Sequence, residues 1–222
     1  MLINCNNQEV GLAIAQSLGL PDPYFDISGD NGTVYFCDNG PVVKITRVLK
    51  EAIICQQLII LQNKGLANQY FPEIYNLKKF EQGLTTKDVF HGYKSYVIVR
   101  EGFDDIFFDD DKNESDLRRA LSYISYGWNV NKPEMIKEAY RIYCHDDNIL
   151  NDIVKGLKWF YELTGIKIGD IRLSNIGVSK SGKFGMRDLG IAYIPDHLIN
   201  SFNEKDNIDL LNIDYKIGNI KN

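Results

Sequence analysis

The chain is poor in every side chain that would announce a metal or disulfide scaffold. Its four cysteines, Cys5, Cys37, Cys55 and Cys144, are scattered, with no C-x-x-C and no Cys/His pairing at ligand spacing. That argues against a zinc framework or a disulfide-built domain and favours a reducing compartment. The three histidines, His91, His145 and His197, stand apart, and no chemistry is assigned to them. Cys144-His145 next to Asp146-Asp147 reads as a loop before a helix, with Asp147 or Asn148 as its cap. Basic charge is short as well, with 25 Lys and Arg against 30 Asp and Glu and a net charge of −5. Gripping a nucleic-acid backbone needs the opposite balance, so no nucleic-acid partner is expected. Long apolar runs are missing: Ala52 to Leu61 is broken by Gln56 and Gln57, and nothing reaches the length of a bilayer span. Met1 to Asn7 shows no basic region followed by an apolar stretch, so no signal peptide is expected and the location expected is cytoplasmic. Neither an internal repeat nor a low-complexity linker is present.

What remains is an ordinary globular composition, 222 residues with 44% apolar and 25% charged side chains. That length suffices for one domain or two small lobes with a real core. Residues 8–18 read as a short amphipathic helix broken by Pro21-Asp22-Pro23. From Tyr24 to Thr46 the texture is β-like: Phe25-Asp26-Ile27, then Ser28-Gly29-Asp30-Asn31-Gly32, then Thr33 to Cys37. Asp38-Asn39-Gly40 is a hairpin turn, and Val42-Val43-Lys44-Ile45 returns as a strand. Arg47 to Lys64 is a long apolar helix stopped by Gly65, and strands follow at Glu73–Phe80 and Tyr93–Arg100. The second half predicts helices over 114–128, 132–144 and Asn148–Leu163. Ile149, Ile153, Leu157 and Phe160 give the last its helical spacing, and Gly165 closes it. Trp159, Phe160 and Tyr161 are assigned to packing. Short segments at Ile166–Ile168, Ile176–Val178 and Phe184–Met186 complete the chain's readable part. The expectation is an α+β layout in two lobes: a small antiparallel sheet with one helix over residues 1–100, and a mainly helical lobe over 101–222.

Chemistry concentrates after the strongest helix. Asp170 and Asn175 lie five apart, and Asp188 of Asp188-Leu189-Gly190 follows beyond a turn at Ser181-Gly182-Lys183. A hairpin there can bring Asn175 and Asp188 to one place. An amide oxygen beside a carboxylate suits Mg²⁺, a hard cation that takes oxygen ligands. Asp170 is placed to receive a hydroxyl proton or to orient a nucleophile. Taken alone, D-x4-N is a polar turn in any α/β protein.

The pattern from Asp170 through Asn175 to Asp188 resembles the protein-kinase-like superfamily, whose catalytic loop reads H-R-D-x-x-x-x-N and whose metal loop reads D-F-G. The first half resembles the same family. Ile27-Ser28-Gly29-Asp30-Asn31-Gly32-Thr33-Val34 is similar to the Gly-rich loop G-x-G-x-x-G-x-V, with Ile27 where the first glycine belongs. Val42-Val43-Lys44 is similar to V-A-I-K, and Glu51 is the one carboxylate between Lys44 and Pro72. Tyr96 to Gly102 resembles the last strand and hinge. Each piece alone has a plain reading as a turn, a surface charge or a helix start. Together they occur once each, in the family's order.

The resemblance implies a two-lobed kinase-like fold with ATP and Mg²⁺ (or Mn²⁺) between the lobes. Gly29 and Gly32 would approach the phosphates, Val34 would cover adenine, and backbone groups at Val99 and Glu101 would meet its edge. Lys44 would meet the α/β-phosphates and pair with Glu51, Asn175 and Asp188 would hold the metal, and Asp170 would orient the acceptor. Arg172 would neutralise charge on the transferred phosphoryl. Departures exist too. Ile168-Gly169 stands in place of His-Arg, as in small-molecule phosphotransferases such as aminoglycoside and choline kinases, whereas Arg172 is nearer protein kinases. Leu189 replaces Phe. After Asp188 the sequence runs only to Asn222 with no A-P-E motif, so a minimal kinase with a reduced second lobe is expected, of the kind found in bacteriophages and bacterial effectors, and a host cytoplasm is then its implied location. A protein hydroxyl, Ser/Thr favoured, is the acceptor expected. A small-molecule kinase and a pseudokinase binding module are the alternatives. The acidic residues Asp104-Asp105 and Asp109-Asp110-Asp111 read as a solvated loop or helix start, with docking of a basic partner as the other reading. Oligomeric state is not legible.

Overall fold

A computed structural model describes residues 24–29, 32–36, 41–66, 68–80, 94–144, 147–203 and 209–211. The helix expected over 8–18, the turns at Pro21–Pro23 and Asp38–Gly40, and Cys5, Cys37, His91, His145 and Asp146 lie outside those residues. The chain divides into two compact units, the first within residues 1–67, 73–102 and 200–222, the second within 68–72 and 103–199. The α+β class read from the sequence is what the structure has: among the described residues, a sheet with the helix Leu49–Asn63 in the first unit, and helices with short strand pairs in the second.

Six antiparallel strands build the first unit. They are β1 (Tyr24–Gly29), β2 (Gly32–Phe36), β3 (Val42–Thr46), β4 (Ile74–Phe80), β5 (Ser95–Arg100) and, from much later in the chain, β10 (Asp209–Leu211), in the order β1-β2-β3-β5-β4-β10. Central β3 and β5 are buried along their whole length, as strands covered on both faces must be. Helix α1 (Leu49–Asn63) is apolar nearly all round, with Ala52, Ile53, Ile54, Cys55, Leu58, Ile59 and Leu61 buried, the pattern of an enclosed helix. It starts two residues later than the composition suggests. The Val48 amide donates to Thr46 Oγ1 at 3.1 Å, and Val48 itself is extended. At its other end Gly65 takes φ +71°, with Gly65 N donating to Gln62 O and Leu66 N to Leu61 O, both at 2.9 Å. This is a Schellman closure, which glycine permits at low steric cost.

The second unit holds α2 (Asp111–Asn129), α3 (Pro133–Ile142) and α4 (Asp147–Thr164). Two short strand pairs follow: β6 (Lys167–Ile168) with β9 (Ala192–Tyr193), and β7 (Ile176–Val178) with β8 (Phe184–Met186). The acidic stretch is partly structural. Asp110 caps α2, its Oδ1 accepting from Asn113 N at 2.6 Å, so the helix begins three residues before the position expected. Leu117, Leu121 and Ile124 of α2 and Leu150, Ile153, Leu157 and Phe160 of α4 are buried. Of the aromatic triplet on α4, Phe160 is enclosed while Tyr161 is exposed. The segment Asn68–Pro72 lies between α1 and β4 in sequence but belongs to this unit: Phe71 packs against Phe160 with tilted rings and centroids 5.0 Å apart, and Met186 N donates to Tyr70 O at 3.1 Å. A final helix, α5 (Asp196–Asn203), precedes β10. Among the described residues no helix is long and apolar enough to cross a membrane, and both described cysteines, Cys55 and Cys144, are free.

Candidate functional site

The polar residues singled out by sequence fall into two groups, one in each unit. In the first, Lys44 is on inner strand β3, in register with Val34 of β2 and Ile98 of β5. Its neighbours leave an ammonium little water, and desolvating a lone charge there costs several kcal/mol. Glu51 answers it, with Lys44 Nζ 2.7 Å from Glu51 Oε1 and the two side chains 10% and 4% exposed. Helix α1 supplies that carboxylate at its third position, where the unpaired amides of a helix start favour an anion. Thr46, by fixing where α1 begins, sets the turn on which Glu51 sits.

Gly29 and Gly32 form the last pair of the β1–β2 ladder. Val34 is half-buried on β2. Val99 occupies an interior sheet position between Val43 and Asn76. The Glu101 amide donates to Glu73 O at 2.8 Å, and the Glu101 carbonyl accepts from Arg100 Nη1 at 3.0 Å. Gly102 follows, and among the described residues its peptide makes no hydrogen bond.

In the second unit, α4 ends at Gly165, whose φ is +71°, and β6 leads directly to Gly169-Asp170. The β7–β8 hairpin is nested in sequence inside the β6–β9 pair. Asp170 lies between β6 and β7, and Asp188 between β8 and β9, so the two ladders lock both connecting loops into one assembly. Between them the short 3₁₀ turn Leu173–Asn175 carries a buried asparagine. Asn175 Nδ2 donates to Asp170 Oδ2 at 2.8 Å and to Asp170 O at 3.0 Å. Its backbone carbonyl accepts from Arg187 N at 2.8 Å and Asp188 N at 3.5 Å. One residue thus ties the Asp170 loop to the Asp188 loop. Arg172 Nη2 lies 3.1 Å from Asp170 Oδ2 on the open side. Asp188 Oδ1 accepts from Gly190 N at 3.3 Å, which turns the chain immediately after it.

Among the described residues no group of three or more His, Cys, Asp or Glu could hold a metal ion, so a cation here would rest on an amide oxygen and one carboxylate. With Nδ2 committed to Asp170, the Asn175 amide presents its Oδ1 on the other side, where Ser174 Oγ approaches to 3.4 Å. An amide oxygen and the Asp188 carboxylate are the oxygen ligands Mg²⁺ takes while completing its shell with water and phosphate.

Several contributors to this site escaped the sequence reading. Arg187 joins Asp105, one of the acidic residues read as solvated, and also donates to Ser174 O at 3.2 Å. Asp104 bridges Val178 through paired backbone hydrogen bonds of 2.9 Å, extending the β7–β8 hairpin. Ser125 and Asn129 of α2 bond the Gly169 carbonyl. All are long-range contacts with no local signature.

Compared with known proteins, the chain matches no family model and no curated protein. Among solved structures it is similar to a ternary complex of streptomycin, ATP and APH(2'')-IIa, at 12% identity over 86% of this chain and 72% of that one, with a TM-score of 0.38.

Proposed function

We propose that this chain is a kinase-like phosphotransferase that moves the γ-phosphoryl group of ATP to a protein hydroxyl. The observation that carries the reading is Asn175, whose side chain is turned onto Asp170 while its carbonyl is bonded to the amides of Arg187 and Asp188. Three polar residues that sequence order alone brought under suspicion share one hydrogen-bonded loop assembly. The buried Lys44–Glu51 pair supports it independently.

Phosphoryl transfer asks little covalent chemistry of a protein, so positioning and charge account for most of the catalysis. Asp170 would take up the acceptor's hydroxyl proton as that oxygen bonds to the γ-phosphorus and the bond from phosphorus to the ADP oxygen breaks. Asn175, by donating to Oδ2, holds the carboxylate in one rotamer for that task. Arg172, mostly exposed and reaching over Asp170, would meet negative charge on the phosphoryl in flight. Lys44, paired with Glu51, would hold the α- and β-phosphates, and Gly29 and Gly32 would let backbone amides approach them. Backbone groups in the stretch from Val99 through Glu101 to Gly102 would meet the edge of the adenine. Mg²⁺, held by Asn175 and Asp188, would supply neutralisation of the phosphate oxygens.

Arg172 favours a protein acceptor, whereas Gly169 before Asp170 is what a small-molecule kinase carries. Transfer of label from γ-labelled ATP to the chain itself, to casein and to a panel of small hydroxyl compounds separates the two. ATP use that follows only the small compounds would replace the protein acceptor, and a folded chain that uses no ATP would leave a binding module.

A further inference from the structure

The residue before Asp170 is held by a helix far from it in sequence. Ser125 Oγ donates to the Gly169 carbonyl at 2.9 Å, and Asn129 Nδ2 donates to the same oxygen at 3.1 Å. The two side chains are four residues apart, hence neighbours on one face of α2. From the opposite side of the same residue, Gly169 N donates to Ile191 O at 2.9 Å. Both backbone groups of Gly169 are therefore engaged by elements outside its own loop.

The helix end that reaches in is itself anchored. Asn131 takes φ 56°, and Lys132 N donates back to Gly127 O at 2.8 Å, closing α2 with asparagine where glycine is usual. Lys167 then donates to Asn129 O at 3.2 Å and to Asn131 Oδ1 at 2.8 Å, with its Nζ 5.6 Å from the Trp128 ring centroid. So Lys167 grips the helix end while Ser125 and Asn129 grip Gly169. A Cβ on Gly169 would meet Asn129 Oδ1 at 3.2 Å, so the small residue before Asp170 keeps this approach open.

The Gly169 carbonyl and the Asp170 amide belong to one rigid peptide plane. Fixing that carbonyl fixes the direction in which Asp170 leaves the backbone. Arg172 and Asn175 act on the Asp170 carboxylate, and Asn175 also bonds the Asp170 carbonyl in the peptide plane that follows; Ser125 and Asn129 act on the plane that precedes it. We propose that Ser125 and Asn129 are positioning residues for Asp170, acting through the Gly169 carbonyl. The assignment rests on the reading of Asp170 as the group that receives the acceptor's proton. A displacement of about 1 Å at such a group lowers turnover by about 100-fold.

The test compares wild type, Ser125→Ala, the near-isosteric Asn129→Asp and the double variant, with Ser122→Ala on the same helix as control and Ser125→Thr as the hydroxyl-retaining rescue. Two readouts are taken: label transfer from ATP to casein, and hydrogen exchange of the segment 167–175. The expected result is a fall in kcat of about 10-fold for each single change and about 100-fold for the double, with KM for ATP within about twofold. Exchange in 167–175 rises while 111–124 stays protected, and Ser125→Thr and Ser122→Ala behave as wild type. Unchanged exchange in 167–175, or faster exchange with kcat intact, overturns the assignment, as does a KM effect without a kcat effect. If wild type transfers no phosphate to casein, to itself, to any small hydroxyl compound or to water, the phosphotransferase reading is what fails. The exchange readout then decides alone whether the clamp holds the loop.

Discussion

Asn175 bonds Asp170 twice, its Nδ2 lying 2.8 Å from the carboxylate and 3.0 Å from the main-chain carbonyl. A hydrogen bond to a charged group contributes about 1.5–3 kcal/mol. Asn175→Leu, which removes both donors, is expected to lower stability by about that amount and abolish metal-dependent nucleotide binding. Thermal unfolding with and without Mg-ATP measures both effects. A variant still stabilised by Mg-ATP as strongly as wild type would remove Asn175 from the metal set.

The Lys44–Glu51 pair makes a prediction whose sign separates stability from function. Glu51→Gln removes the carboxylate 2.7 Å from the Lys44 ammonium, and losing one partner of a buried pair costs up to about 3–5 kcal/mol. Replacing both, as Lys44→Met with Glu51→Leu, is expected to return most of that stability because neither charge then needs desolvation. Phosphotransfer should stay lost in the double variant. Denaturant unfolding alongside turnover checks this, and an active double variant would contradict the role given to Lys44.

Arg172 should behave in the opposite way. Its side chain is 65% exposed, and exposed ion pairs contribute about 0–1 kcal/mol. Arg172→Ala is expected to leave the melting temperature nearly unchanged while lowering turnover by about 100-fold, the scale of losing one charge-stabilising group. A melting shift without a turnover loss would make Arg172 a structural residue only.

Gly185 sits where β8 passes Tyr70, and a Cβ there would fall 2.2 Å from the Tyr70 carbonyl oxygen. Backbone cannot yield as a flexible side chain can, so Gly185→Ala is expected to cost at least about 1–3 kcal/mol. Gly182→Ala, in open space at φ +75°, should cost only about 1–2 kcal/mol, from its left-handed backbone. Comparing the two melting temperatures distinguishes crowding from backbone strain.

Local features were legible in the sequence, and distant pairings were not. Gly65 and Gly165 announced the ends of α1 and α4 because a left-handed closure needs a residue without Cβ. Short β-type runs announced β3, β4 and β5. The start of α2 was misplaced because Asp110 looked like one member of an acidic run, whereas its carboxylate caps a helix. Asp170, Asn175 and Asp188 could be found from spacing, since the hairpin joining them is short. Nothing local marks Ser125 and Asn129, whose partner Gly169 lies 44 and 40 residues onward. The same holds for β10, which pairs with β4 across most of the chain, and for Tyr70, which sits between elements of one unit while belonging to the other.

The central claim is tested most directly by incubating the folded chain with γ-labelled ATP and Mg²⁺, with casein and a small-hydroxyl panel as acceptors, beside Asp188→Ala. The account predicts label on the chain or on casein, lost on chelation of the metal and lost in Asp188→Ala, while that variant keeps the wild-type circular dichroism spectrum. Label that persists in Asp188→Ala, or a folded wild type that consumes no ATP with any acceptor, would contradict it.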